Sequence, residues 1–132
     1  MKRVLCLIFI IAFFIGFSGC VQTQSIPHPG YYLGNSASSL YVTKDGYYHL
    51  DLPFSDYPGS TGKYTYNSDS KILSLDNGWK LSLTKDSETS AILAVTSPTQ
   101  YKGLFFTWSD LNQGSSGTSW AIGMIEDYKK GK

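Results

Sequence analysis

The chain reads as an all-β protein: a small antiparallel meander of about eight strands, closed or nearly closed into a barrel, with a β-sandwich as the alternative. Three observations lead there. From Gly30 onward, short runs alternate apolar and polar residues with the period of two that a half-buried sheet demands. Asp45-Gly46 and Asn77-Gly78 sit between such runs, and both dipeptides suit tight hairpins. No spacing fits a βαβ unit, and consecutive hairpins favour a sheet that closes on itself and removes its edges.

The elements follow in order. Gly30 to Gly34 is an aromatic strand bounded by glycines. Ser39 to Thr43 sets Leu40 and Val42 against Tyr41 and Thr43. Lys44-Asp45-Gly46 turns the chain into Tyr47 to Leu52, with Tyr48, Leu50 and Leu52 on one face. Pro53 to Thr61, with two prolines, reads as a loop. Gly62 to Tyr66 places Tyr64 and Tyr66 on one face. Ile72 to Leu75 and Trp79 to Thr84 flank the Asn77-Gly78 turn. Ala91 to Ser97 and Leu104 to Ser109 complete the set, the latter with Leu104, Phe106 and Trp108 on one side. A Gly/Ser-rich loop over Asn112 to Ser119 precedes Trp120 to Tyr128. That segment reads as a closing strand through Trp120, Ile122 and Met124, with a helical turn over Ile125 to Lys130 as the alternative.

The start of the chain is different in kind. Lys2 and Arg3 precede twelve unbroken apolar residues, Val4 to Ile15, then Gly16 and Phe17-Ser18-Gly19-Cys20. Charged start, apolar run and small residues are the three parts of a signal peptide. The run falls short of the ~20 residues a membrane span needs. The expected division is a signal peptide at 1–19, a tether at 20–29, one β domain at 30–128 and a basic tail at 129–132.

Composition narrows the function classes. Residues 20–132 hold nine lysines, no arginine and ten acidic residues, scattered along the chain. No basic patch points to nucleic acid. Cys6 leaves with the signal, so Cys20 is the lone cysteine of the remainder and no intrachain disulfide is expected. The domain must fold on its core alone.

Candidate chemistry is sparse. His49 and Asp51, at i and i+2, share a strand face, and His28 is the other histidine. Two ligands do not close a metal site, so a polar outer face is the preferred reading and no cofactor or metal is expected. No Gly-x-Ser-x-Gly elbow occurs, and Gly114-Ser115-Ser116-Gly117 reads as a flexible loop. Asp45, Asp56, Asp76 and Asp86 fall in turns or loops, where aspartate is a turn former. No enzyme is expected. Ten tyrosines follow Cys20. Most suit strand packing, but Tyr31, Tyr41, Tyr47 and Tyr57 fall off the core faces or in a loop. Tyr47 and Tyr57 are the candidate partner-binding residues, since exposed aromatic rings make strong interface anchors. Leu50, Tyr64, Tyr66, Leu81, Leu93 and Phe106 would line any cavity inside an eight-stranded barrel.

Two resemblances add to this reading. Phe17-Ser18-Gly19-Cys20 after the apolar run resembles the lipobox of bacterial lipoproteins, with Phe where Leu is commonest. It implies cleavage before Cys20, a diacylglyceryl group on its thiol and an acylated amino terminus. Val21, rather than Asp, after the cysteine implies the outer membrane in a host that has one. Tyr32-x-Gly34, Leu40-Tyr41-Val42-x-x-Asp45-Gly46-x-Tyr48, Gly62-x-Tyr64 and Ile72-x-Leu-x-x-x-Gly78 together resemble bacterial lipocalin-like lipoprotein barrels, including the N-terminal barrel of copper-resistance envelope lipoproteins. The Cys-x-x-Cys pair of that copper-resistance family is absent, so only architecture carries over. The expectation is an envelope lipoprotein, held to the membrane by Cys20, that binds an envelope protein as an assembly factor or inhibitor. The alternative is a lipocalin-like carrier of a small apolar ligand.

Overall fold

Eight antiparallel strands form one closed barrel, each paired with its sequence neighbour and the first with the last. The computed structural model describes residues 25–54, 57–114 and 116–131. The strands are β1 (Gly30–Gly34), β2 (Ser39–Val42), β3 (Tyr47–Phe54), β4 (Tyr57–Asn67), β5 (Ile72–Leu75), β6 (Lys80–Asp86), β7 (Ser90–Ser97) and β8 (Phe105–Ser109). Closure is made by Tyr32 opposite Trp108 and Gly34 opposite Phe106. The barrel, rather than the sandwich, is the architecture.

The period-two pattern places the core. Leu40, Val42, Tyr48, Leu50, Leu73, Leu81, Leu93 and Phe106 point inward and are buried. The six residues expected to line a cavity, Leu50, Tyr64, Tyr66, Leu81, Leu93 and Phe106, belong to this packed interior. Phenols inside the barrel stay neutral: burial pushes Tyr32 well above its ordinary value and Tyr64 up to about 12.

Both ends are stoppered by side chains. At one end Ile26 is buried in the core, and Tyr32 donates its hydroxyl hydrogen to the His28 carbonyl at 2.8 Å. The His28 ring lies 4.4 Å from that of Trp108, and its Nε2 sits 2.7 Å from Asp86 Oδ1. The segment read as a tether therefore gives its second half to the barrel. At the other end Trp79 is buried and stacks on Tyr101 at 5.2 Å. Asn77 fixes the turn just before it by accepting the Trp79 backbone N–H on Oδ1 at 3.0 Å. Asp76 accepts both the Tyr48 hydroxyl and the Lys63 N–H at 3.0 Å, tying this turn to β3 and β4.

The turns behave as their residues require. Gly46 and Gly78 hold φ of 103° and 100°, the left-handed region glycine tolerates. Gly59, at φ 109°, has the further constraint that a Cβ would overlap the Leu50 carbonyl oxygen, whereas around Gly78 there is open space. Gly78→Ala should cost about 1 kcal/mol from strain alone. Gly59→Ala should cost more, because backbone must also move. Denaturant midpoints of the two variants, compared side by side, check that order.

Three segments differ from expectation, the first being the Gly/Ser-rich loop Asn112 to Ser119, whose second half belongs to a helix that starts at Ser116. Pro53 to Thr61 is not a loop: β3 runs through Phe54 and β4 starts at Tyr57, paired across a bulge. Pro53 is tolerated because the register breaks between Asp51 and Phe54. Trp120 to Tyr128 is not a strand. It belongs to helix α1 (Ser116–Lys129), which lies outside the barrel on β1 to β4. The eight-strand ring is already complete, so a ninth strand has no edge to join. Gly131, at φ 80°, ends the helix in the way a terminal glycine commonly does. Lys129 is consequently part of the helix and not of a solvated tail.

Candidate functional site

The outer face beneath α1 is built from one cross-strand row. Register places Tyr31 opposite Tyr41, Tyr41 opposite His49, and His49 opposite Thr61. All four side chains point away from the core, being out of phase with Tyr32, Leu40, Leu50 and Gly62. The helix crosses this row. Its Gly117 sits so close to the Tyr31 ring that a Cβ would come within 2.9 Å of it. Ala121 and Ile125, one and two turns further on, are buried against the sheet. Near its end, Tyr128 meets Tyr47 edge-on at 6.2 Å, and Lys129 Nζ lies 4.7 Å over the Tyr47 ring and 3.2 Å from Asp45 Oδ2.

Tyr47 thus points away from the barrel interior, as its place in the strand requires, but its ring is partly taken up in holding the helix. Tyr57 begins β4 opposite Phe54. Its side chain, like Cys20 and Asp56, lies outside the described residues. Tyr31 and Tyr41 are half-buried.

His49 is 8 % exposed. Its Nδ1 shares a hydrogen bond with Thr61 Oγ1 at 2.7 Å, and its Nε2 is buried with no partner. Burial holds the imidazole below its ordinary pKa, and the charge of Asp51 offsets that only in part. The two histidines are not brought together, since His28 is engaged with Asp86. Among the described residues no three His, Cys, Asp or Glu side chains gather as a metal site would need. Asp45, Asp76 and Asp86 each accept from a neighbour in or beside a turn, as described above for Asp76.

Beside the helix start lies a groove of about 410 Å³, lined by Tyr31, Leu33, Leu111, Gln113 and Gly117. Gln113 fixes its floor, accepting the Tyr31 N–H at 2.9 Å and donating to the Tyr31 carbonyl at 3.0 Å. Leu111 is 88 % exposed at its rim and Leu33 48 %. Phe105, 42 % exposed, shares the outer face of β8 with Thr107, which faces Leu33 across the closure. Trp120 is 60 % exposed on the helix. A second cleft, about 310 Å³, opens beside Trp79, Pro98 and Tyr101 at the far end of the barrel.

The fold and this surface define an eight-stranded antiparallel barrel with one helix strapped across its outside. No protein-family model, no curated protein and no solved structure matches the chain. Among the described residues no helix is long and apolar enough to cross a membrane.

The helix and the groove were the features that strand-based reading missed. Their signal was present: Gly117, Ala121 and Ile125 recur every fourth residue, small or apolar each time. Trp120, Ile122 and Met124 overlay an equally regular alternation on the same stretch.

Proposed function

We propose that this protein is a bacterial envelope lipoprotein, anchored through a lipid on Cys20, whose barrel binds a protein partner without doing chemistry on it. The observation that carries the binding role is the placement of apolar surface. Inward side chains pack against one another, while Leu33, Phe105, Leu111 and Trp120 are held out on the exterior. Exposed apolar patches mark interaction sites, and aromatic residues such as Phe105 and Trp120 are enriched at interfaces. Leu33 and Leu111, at the groove, take the place that sequence gave to Tyr47. Tyr57 stays in the proposed contact set through its position at the β3–β4 hairpin.

Anchoring and fold are closely coupled in this reading. Ile26 is fixed in the barrel, and six residues beyond Cys20 reach about 20 Å when extended. The barrel end closed by Ile26 would face the bilayer. A triacylated cysteine exceeds the two-chain requirement for stable attachment. The outer membrane is the proposed destination in a host that has one.

A photocrosslinking side chain in place of Leu111, introduced in living cells, should give discrete protein adducts in the membrane fraction. The same side chain at Thr96, exposed on β7, should give none. Cys20→Ser should leave the protein without lipid and remove it from that fraction. Absence of adducts at Leu111, with a small apolar molecule copurifying instead, would move the reading to the carrier.

A further inference from the structure

His49 is a titratable side chain sealed between two layers of the molecule, and the partner-binding role does not use it. It faces outward from β3, yet only a twelfth of its surface meets solvent, and α1 is the element packed over that part of the sheet. One nitrogen is satisfied by Thr61. The other has nowhere to place a hydrogen bond. A neutral imidazole tolerates that arrangement. An imidazolium has a hydrogen on both nitrogens and a full charge, and an unpaired buried charge is costly.

The surroundings offer little to compensate. On its own strand His49 has Asp51, which is exposed, and Tyr47. Across β2 it faces Tyr41, with Tyr31 beyond on β1. Across β4 it faces Thr61, with Lys63 next along that face. The helix turns Gly117, Ala121 and Ile125 to the sheet, followed by Tyr128 and the cationic Lys129. Its acids are directed elsewhere: Glu126 lies 3.6 Å from Lys129, and Asp127 is exposed.

The helix is also the part best able to leave. The barrel closes through β1 and β8 without it. Gly114, at φ 82°, stands in the connection that leads to it. A 14-residue segment containing Gly117 and Gly123 is a marginal helix once detached from its support.

We propose that α1 is an acid-released strap: protonation of His49 frees the helix from the barrel and uncovers the aromatic row Tyr31–Tyr41 beneath it. In the released state His49 titrates near its ordinary value of about 6.5, whereas in the docked state burial holds it lower. Below about pH 6.5 the released state binds a proton that the docked state does not. The docking equilibrium therefore falls by up to tenfold per pH unit until the docked value is reached. The Asp45–Lys129 tie cannot mimic this. The Thr43 hydroxyl, followed by Lys129, holds the Asp45 carboxyl below the usual range, so that pair stays charged through the same window.

Hydrogen–deuterium exchange of the purified protein between pH 7.5 and 5, corrected for intrinsic rates, tests the strap. Amides of α1 should lose protection by up to tenfold per unit below about pH 6.5, while those of β6 and β7 keep theirs. His49→Gln should flatten the α1 profile, and His28→Gln should leave it as in the wild type. Asp51→Asn, which lowers only the docked value, should leave the onset in place and let the loss of protection continue to lower pH. Should His49→Gln fail to fold, NMR titration of the wild type decides, because the His49 ring and the α1 amides must then share one midpoint. A pH-independent α1, a barrel that loses protection together with the helix, pH dependence surviving in His49→Gln, or separate midpoints would each overturn the proposal.

Discussion

Trp79→Ala should be among the most damaging single substitutions in this barrel, costing about 3–5 kcal/mol. The indole is almost fully buried, stacks on Tyr101 and stoppers one end of the core. Removing it leaves a void that the closed ring of strands cannot readily collapse around, so the cavity contribution adds to the lost transfer energy. For a domain of about 100 residues each kcal/mol is worth about 4–8 °C, so the melting temperature should fall by about 12 °C or more. Trp79→Phe keeps a ring against Tyr101 and should recover much of the loss. Thermal unfolding followed by circular dichroism checks both variants. An alanine variant melting within about 2 °C of the wild type would mean that another group closes this end.

The second large effect is expected at the opposite end. Ile26→Ala should destabilise the protein by about 2–5 kcal/mol, as for other buried isoleucines, although the residue precedes the first strand. Pro27→Ala, one position on and exposed, should stay within about 0.5 kcal/mol of the wild type. Urea unfolding of the pair separates a stopper from a tether. Equal midpoints for the two variants would return residues 25–29 to the status of a linker.

Much of the barrel was legible because its rules are local. Leu40, Val42, Tyr48 and Leu50 alternate with polar or outward-facing neighbours, and each lies inside as that alternation demands. Gly46 and Gly78 adopt the backbone their hairpins need. What escaped notice depends on contacts distant in sequence. Ile26 sits in a polar, proline-bearing stretch with no period, and only the finished barrel mouth gives it a place to be buried. Trp120 and Ile122 look like strand residues but are exposed, because the helix buries small Ala121 and Ile125 instead. Strand alternation turns Tyr47 outward, as it is, but carries no information about the helix that partly covers its ring. His49 reads as an ordinary outer-face polar residue for the same reason: its burial goes with a helix packed on that part of the sheet, which strand alternation does not contain.

The closure of β1 on β8 also has a consequence in time. Tyr32 finds its partner in Trp108, 76 residues further along the chain. Until β8 has emerged from the ribosome, the sheet is an open ribbon with β1 and β7 as bare edges. Contacts of such long separation form slowly, and unpaired edges invite pairing with other chains. The apolar strands that make the finished barrel self-contained are thus its hazard during synthesis. A chaperone that holds the chain until residue 109 is available should raise its yield more than one that acts on the completed sheet.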